Sequence, residues 1–238
     1  MPMTDEHIVR SFDDEIKTLN SQIGRMGGYA EAILADSIQA LVRRDADLAM
    51  RAVDADRRVD GIDAEIESEV VRLLALRQPM ANDLRTIVSA LKIAQSLERI
   101  ADHSKNAAKR ALIINQTRPL EQTRSIVRLS EVAREMLRDV LNAYADLDAK
   151  AAVAIRDRDE DLDLLYDGYF RECLTYMMED SRTITATTHL LFIAKNLERI
   201  GDQCTNIAEN VYYIRNGERL GPARPRGDAL DPDRQPAS

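Results

Sequence analysis

Apolar residues three and four positions apart run through nearly the whole chain, and the pattern is written twice. Ile23, Met26, Ala30, Ile33, Leu34, Ile38 and Leu41 lie on one face of an α-helix, where side chains at that spacing stack in a row. Ile126, Leu129, Ala133, Met136, Leu137, Leu141 and Tyr144 repeat the spacing 103 positions later. Val59, Ile62, Ile66, Val70 and Leu73 return at the same offset as Leu162, Leu165, Tyr169, Cys173 and Tyr176. The third pair is the most alike. LKIAQSLERIADHSKNAA at 91–108 and LFIAKNLERIGDQCTNIA at 191–208 share ten of eighteen residues, now at an offset of 100. Three residues have thus been lost between the second and third segments of the second half, which places a connection there.

These patterns predict an all-α protein of six long helices, spanning about 4–43, 46–77, 80–114, 120–145, 149–180 and 183–216. Long helices on short connections pack as antiparallel neighbours, so the expected architecture is two pseudo-symmetric three-helix bundles. Residues 1–116 form the first repeat and 117–216 the second, and 217–238, poor in large apolar residues, is expected to be a disordered tail. Asp45 and Asp148 stand where N-caps are needed for the second helix of each half. Pro79 suits a break before the third helix, with Asn82 as its expected cap, and Thr183 is the expected cap of the sixth. Arg118-Pro119 separates the halves. Gly27-Gly28 conflicts locally with a helix, since each interior glycine costs roughly 1 kcal/mol relative to alanine, and it marks a kink or a close helix contact.

Composition narrows the class. The 238 residues include no Trp, 4% aromatics and few Gly or Pro, which disfavours a turn-rich sheet fold. A formal charge of −8 argues against a general nucleic-acid binder, which carries a basic face. The amino terminus has no basic and apolar leader, and no apolar run approaches the roughly 18 residues of a membrane span. The expected location is the cytoplasm, with any membrane association made through partners. Cys173 and Cys204 lack metal-binding spacing and are expected as reduced, partly buried thiols.

Polar identities in the doubled segment need a reason other than packing. Glu98, Asp102 and Asn106 fall along one helical stripe, as do Glu198, Asp202 and Asn206. The second helix of each half offers acids at the same spacing, Asp56 and Asp60 in the first and Asp159 and Asp163 in the second. Facing carboxylates repel unless an arginine, protons or a metal ion sits between them. All-oxygen donor sets suit hard cations such as Mg²⁺, Ca²⁺ or Mn²⁺, and iron. In a metal-free alternative, Arg99 and Arg199 pair with Asp102 and Asp202 on a solvated face of a helical scaffold. The repeat has Gln203 in the place of His103, so the comparison shifts the expectation from histidine to the carboxylates, and both His103 and His189 are expected to be structural or solvated. Gly-rich phosphate loops, GxSxG and HExxH are missing, and so is the Glu-x-x-His of a ferritin-like oxidase, so no enzyme activity is expected.

Arg77-Gln78-Pro79, Asp83-Leu84-Arg85, LERIADH at 97–103 and LERIGDQ at 197–203, followed by Thr205-Asn206-Ile207-Ala208, resemble the PhoU family of phosphate-transport regulators across about residues 8–215. The resemblance implies a cytoplasmic, commonly dimeric, all-α protein of two three-helix bundles, without chemistry of its own. It implies a negative regulator of the phosphate starvation response and of uptake, an adaptor between a phosphate ABC transporter, through its ATPase subunit, and a membrane sensor histidine kinase. It also implies multinuclear iron or zinc clusters on Glu98, Asp102, Glu198 and Asp202, with Asp56, Asp60, Asp159 and Asp163 as the facing set. Asn106, Asn206, Arg99 and Arg199 would support those ligands. Many members carry Asp-His in both motifs, and Asp202-Gln203 departs from that in the second.

Overall fold

The computed structural model describes residues 3–221, with side chains from Phe12 onward; residues 222–238, most of the expected tail, lie outside the described residues. Helices α1 (Met3–Arg43), α2 (Ala46–Arg77) and α3 (Ala81–Ile114) form one bundle. The second comprises α4 (Thr123–Asp146), α5 (Ala149–Asp157), α6 (Asp159–Glu179) and α7 (Ile184–Asn216), with a 3₁₀ turn at Ser181–Thr183. No strand occurs among the described residues. The bundles are joined by α3 against α7 and by α1 against α4, so these four helices close around a shared core. Helix α2 packs onto α1 and α3, and α5 and α6 pack onto α4 and α7.

The corners use the expected chemistry. Arg44 and Leu147, at the ends of α1 and α4, adopt left-handed backbone with φ of 56° and 49°. At each, the following amide reaches back to a helix carbonyl: Asp45 N to Ala40 O at 3.0 Å and Asp148 N to Ala143 O at 2.9 Å. The same aspartates then cap the next helix, Asp45 accepting from Leu48 N and Asp148 from Lys150 N and Ala151 N. One residue ends a helix and the next begins another.

Other expectations are corrected. Asn82 lies inside α3 rather than capping it; Met80 holds the N-cap position without a side-chain bond, and Asn82 Oδ1 accepts instead from Arg85. Thr183 makes no capping bond to α7 either. Its hydroxyl donates to Asp180 O at 2.7 Å, and Asp180 caps the 3₁₀ turn that connects α6 to α7. The predicted helix 149–180 is interrupted at Arg158, whose N–H is shared between Ala154 O and Ile155 O, both at 3.2 Å. Arg158 is held by Asp139 at 2.6 Å and Glu135 at 3.2 Å on α4, while Asp159 and Leu162 press against Gly201 of α7. These opposed attachments account for the break.

Arg77 and Arg85, from the signature around the α2–α3 connection, have structural partners. Arg77 grips Glu15 with two bonds of 2.9 Å, tying the start of α1 to the end of α2. That grip, led by the hydrogen bond, holds the Glu15 carboxyl below its ordinary range. Arg85 lies under Gly217, where φ is 77° and a Cβ would come within 3.2 Å of the guanidinium.

The glycine pair divides cleanly. Helix α1 continues through both residues without a break. A Cβ on Gly27 would lie 2.5 Å from Leu141 Cδ2, so Gly27 sets the close approach of α1 and α4, beside the 2.7 Å bond from Tyr144 Oη to Asn20. Gly28 has nothing within 4 Å. Urea unfolding should therefore show Gly28→Ala stabilising by up to about 1 kcal/mol and Gly27→Ala destabilising. Equal effects at the two positions would contradict the close-contact assignment.

Candidate metal centre

Helix α3 meets α7 in antiparallel register. Arg110 Nη1 lies 3.2 Å from His189 Nδ1, and seven residues earlier His103 bonds Asn196. This seam explains the two histidines. His103 and its counterpart Gln203 face the opposite bundle, and Asn196, Gln203 and Ser96 are buried along it. Burial, then the Arg199 charge, lowers the proton affinity of His103. Burial likewise lowers that of His189, with help from Arg110.

In the first half, α2 and α3 bring Asp56, Asp60, Glu98 and Asp102 within electrostatic reach of one another. Asp56 is 4% exposed, Glu98 and Asp102 are half-buried, and Asp60 is exposed. Asp63 joins them as a fifth carboxylate, with Oδ1 buried and without a hydrogen-bond partner among the described residues. Lys105 supplies the counter-charge: its ammonium bridges Asp56 at 2.5 Å and Asp102. Asp102 thus pairs with Lys105, and Arg99 points to solvent.

Proton affinities reflect this crowding. Burial raises the pKa of Asp56, opposed by the Lys105 bond and charge. Burial also raises Asp63, with Glu67 and Asp60 adding repulsion. Glu98 is raised by burial first and then by Asp102, Asp63, Asp60 and Asp56.

The second half is arranged differently. Glu198, with its side chain 12% exposed, accepts from Lys195 at 2.7 Å through Oε1, while Oε2 is buried with no hydrogen-bond partner among the described residues. Asp159 is 8% exposed and packed against the α7 backbone: a Cβ on Gly201 would lie 2.9 Å from Asp159 Oδ1 and 2.6 Å from Leu162 Cδ2. Asp163 and Asp202 are half-buried, each with a partner. Asn106 is half-buried; Arg199 and Asn206 are exposed, and Asn206 donates to Gln203 at 3.3 Å.

The donor chemistry suits a hard cation, and the buried oxygens of Asp63 and Glu198 are atoms a cation would satisfy. Among the described residues, however, no three His, Cys, Asp or Glu side chains gather into a coordination cage. Coordination would require side-chain movement, and at the first stripe the departure of Lys105. Sequence comparison missed Asp63 and Lys105 because the repeat has Tyr166 and Thr205 at those places. Asp63 was nonetheless within reach of a sequence reading, lying one helical turn beyond Asp60.

The raised Glu98 pKa fixes the sign of a pH effect. Its proton favours the folded state fully below the ordinary carboxylate range, and that contribution is lost as pH rises through the folded value. In chelator-treated protein, Glu98→Gln should therefore be more stable than wild type at pH 7, with the advantage shrinking towards pH 4. Urea titrations at both pH values measure this, and a less stable variant at pH 7 would show that the charge is already compensated.

The chain is similar to known proteins over most of its length. The PhoU domain profile matches residues 23–111 and 126–211. A phosphate-specific transport system accessory protein PhoU homolog of Caulobacter vibrioides is 51% identical over 226 residues, covering 94% of this chain and 98% of its own. The accessory protein PhoU of Escherichia coli is 38% identical over 231 residues, covering 95% of this chain and 93% of its own. The crystal structure of PhoU from Pseudomonas aeruginosa superposes with a TM-score of 0.85 at 34% identity, over 87% of this chain and all of the other. That of the phosphate transport system regulatory protein PhoU from Streptococcus pneumoniae gives 0.82 at 28% identity, over 88% and 99%. Two matched repeats and relatives aligned over nearly their full length place this chain in the PhoU family.

Proposed function

We propose that this protein is a negative regulator of the phosphate starvation response and of phosphate uptake. It acts as an adaptor between the ATPase subunit of a phosphate ABC transporter and a sensor histidine kinase, without catalysis of its own. The observation that carries this reading is the alignment of 94% of the chain with a relative named as an accessory protein of the phosphate-specific transport system. A cytoplasmic homodimer reaching the membrane through its partners fits helices none of which is long and apolar enough to cross a membrane, among the described residues.

The same reading includes metal. Iron or zinc, in multinuclear form, would be held by Glu98 and Asp102 with Asp56 and Asp60, and by Glu198 and Asp202 with Asp159 and Asp163. Mg²⁺, Mn²⁺ and Ca²⁺ are the other hard cations the oxygen donors suit. Support comes from the raised proton affinities of Asp56 and Glu98 and from the unpartnered Glu198 oxygen. A cation relieves the same repulsion that a proton relieves.

Two experiments test these statements separately. Deleting the gene should make phosphate-responsive promoters fire in phosphate-rich medium, and the wild-type chain should silence them again; unchanged promoters would sink the regulatory reading. Elemental analysis of purified wild type should find bound metal that Asp102→Asn/Asp202→Asn loses. Background metal in both, with no thermal shift on adding iron or zinc, would dispose of the metal reading and leave the adaptor role standing.

A further inference from the structure

The outer surface of the second repeat differs from that of the first in a way folding does not require. On α6, Tyr166, Phe170 and Leu174 follow at intervals of four, and Met178 continues the apolar run; Phe170 is 36% and Met178 88% exposed. The Tyr166 and Phe170 rings lie 6.4 Å apart, tilted at 44°. Helices α6 and α7 are antiparallel, since Leu162 meets Gly201 and Lys195 Nζ lies 5.2 Å over the Tyr166 ring. That register carries Phe170 to the level of Phe192, which is 48% exposed on α7.

The equivalent positions of the first repeat are Asp63 for Tyr166, Glu67 for Phe170 and Lys92 for Phe192. The first repeat tolerates charge at the places of Phe170 and Phe192, so these two rings are not needed to build the bundle; Tyr166 packs partly on the core, and Leu174 answers to Val71, itself exposed. Large exposed apolar groups in one cluster mark contact surfaces rather than ordinary solvent-facing helix.

A cation stands at the edge of this cluster. Arg110 of α3 places its guanidinium 3.9 Å over the Phe192 ring, with His189 as its hydrogen-bond neighbour. Among the described residues it has no carboxylate within ion-pair distance, and its counterpart in the repeat is the uncharged Asn210. Partial burial lowers its pKa with no acid to offset the cost. An arginine stacked on an aromatic ring and lacking its carboxylate is a common anchor of protein interfaces.

We infer that Phe170, Leu174, Phe192 and Arg110 form a docking surface for a segment of a partner protein that sets an aspartate or glutamate among aliphatic side chains. The aliphatic groups cover the α6–α7 aromatics, and the carboxylate meets Arg110. This assignment rests on the adaptor reading above and names the surface and partner chemistry it would use.

Binding to the purified ATPase subunit of the organism's phosphate transporter, measured by biolayer interferometry, tests the assignment. Phe170→Glu and Phe192→Lys install residues that the first repeat carries at the same positions, so the fold should accept them; circular dichroism verifies this. Each should weaken binding by about tenfold or more, the effect of losing one buried anchor. Arg110→Gln should weaken it similarly and flatten its salt dependence, while Arg110→Lys keeps the salt dependence. Unchanged affinity in all variants, with wild type binding, would overturn the surface and leave the adaptor reading intact. Altered sedimentation with partner binding preserved would assign the face to a second copy and equally overturn the proposal. Failure of wild type to bind would remove the adaptor reading and this surface with it.

Discussion

Helix α3 lying antiparallel against α7 makes one molecule out of two similar bundles. Each helix carries the segment most alike between the two repeats, and each gives one face to its bundle core and another to the opposite repeat. Leu97, Ile100, Leu197 and Ile200 are fully buried, while Ser96, Asn196 and Gln203 line the seam between the bundles. The positions left over on each helix are those of Glu98, Asp102, Glu198 and Asp202. Their half-burial follows from this geometry: a helix packed on two sides has only a narrow remaining stripe, and groups on it are partly desolvated by their neighbours. The raised proton affinity of Glu98 is a consequence of the same packing.

Compensation of that charge is unequal. In the first bundle an ammonium reaches across from α3 to Asp56, whereas in the second Lys195 serves Glu198 within α7. Lysine suits this use because its compact charge sits on a flexible stem that can be displaced. A buried carboxylate paired with a half-buried lysine is a poor source of net stability, since desolvation offsets most of the attraction.

The helices were legible in the sequence because three-and-four periodicity and the duplication reported the same thing. The Asp45 and Asp148 caps were legible for the same reason: both copies carry the same residue at the same corner. What escaped was whatever the two repeats do not share. Arg158 breaks α5 from α6 through ties to Asp139, Glu135 and the Gly201 notch, and those are contacts between helices far apart in sequence. Lys105 and Asp63 were hidden by comparing copies, which keeps identities and discards compensating differences. Asn82 and Thr183 have the right residue type for a cap, but Asn82 falls two residues inside α3, and Thr183, at the N-cap position of α7, gives its hydroxyl to Asp180 O instead.

Gly201 stands where the first repeat has Ala101, and this single missing methyl lets Asp159 and Leu162 reach the backbone of α7. The two halves have therefore ceased to be interchangeable parts. A chain assembled from two first repeats would carry alanine at both notches and Ala55 in the place of Arg158, so its fifth helix would run unbroken like α2. Nor could a half-length protein reproduce the whole by pairing with itself, because a symmetric pair cannot hold one open notch and one filled one. Divergence after duplication has in this sense committed the protein to a single continuous chain.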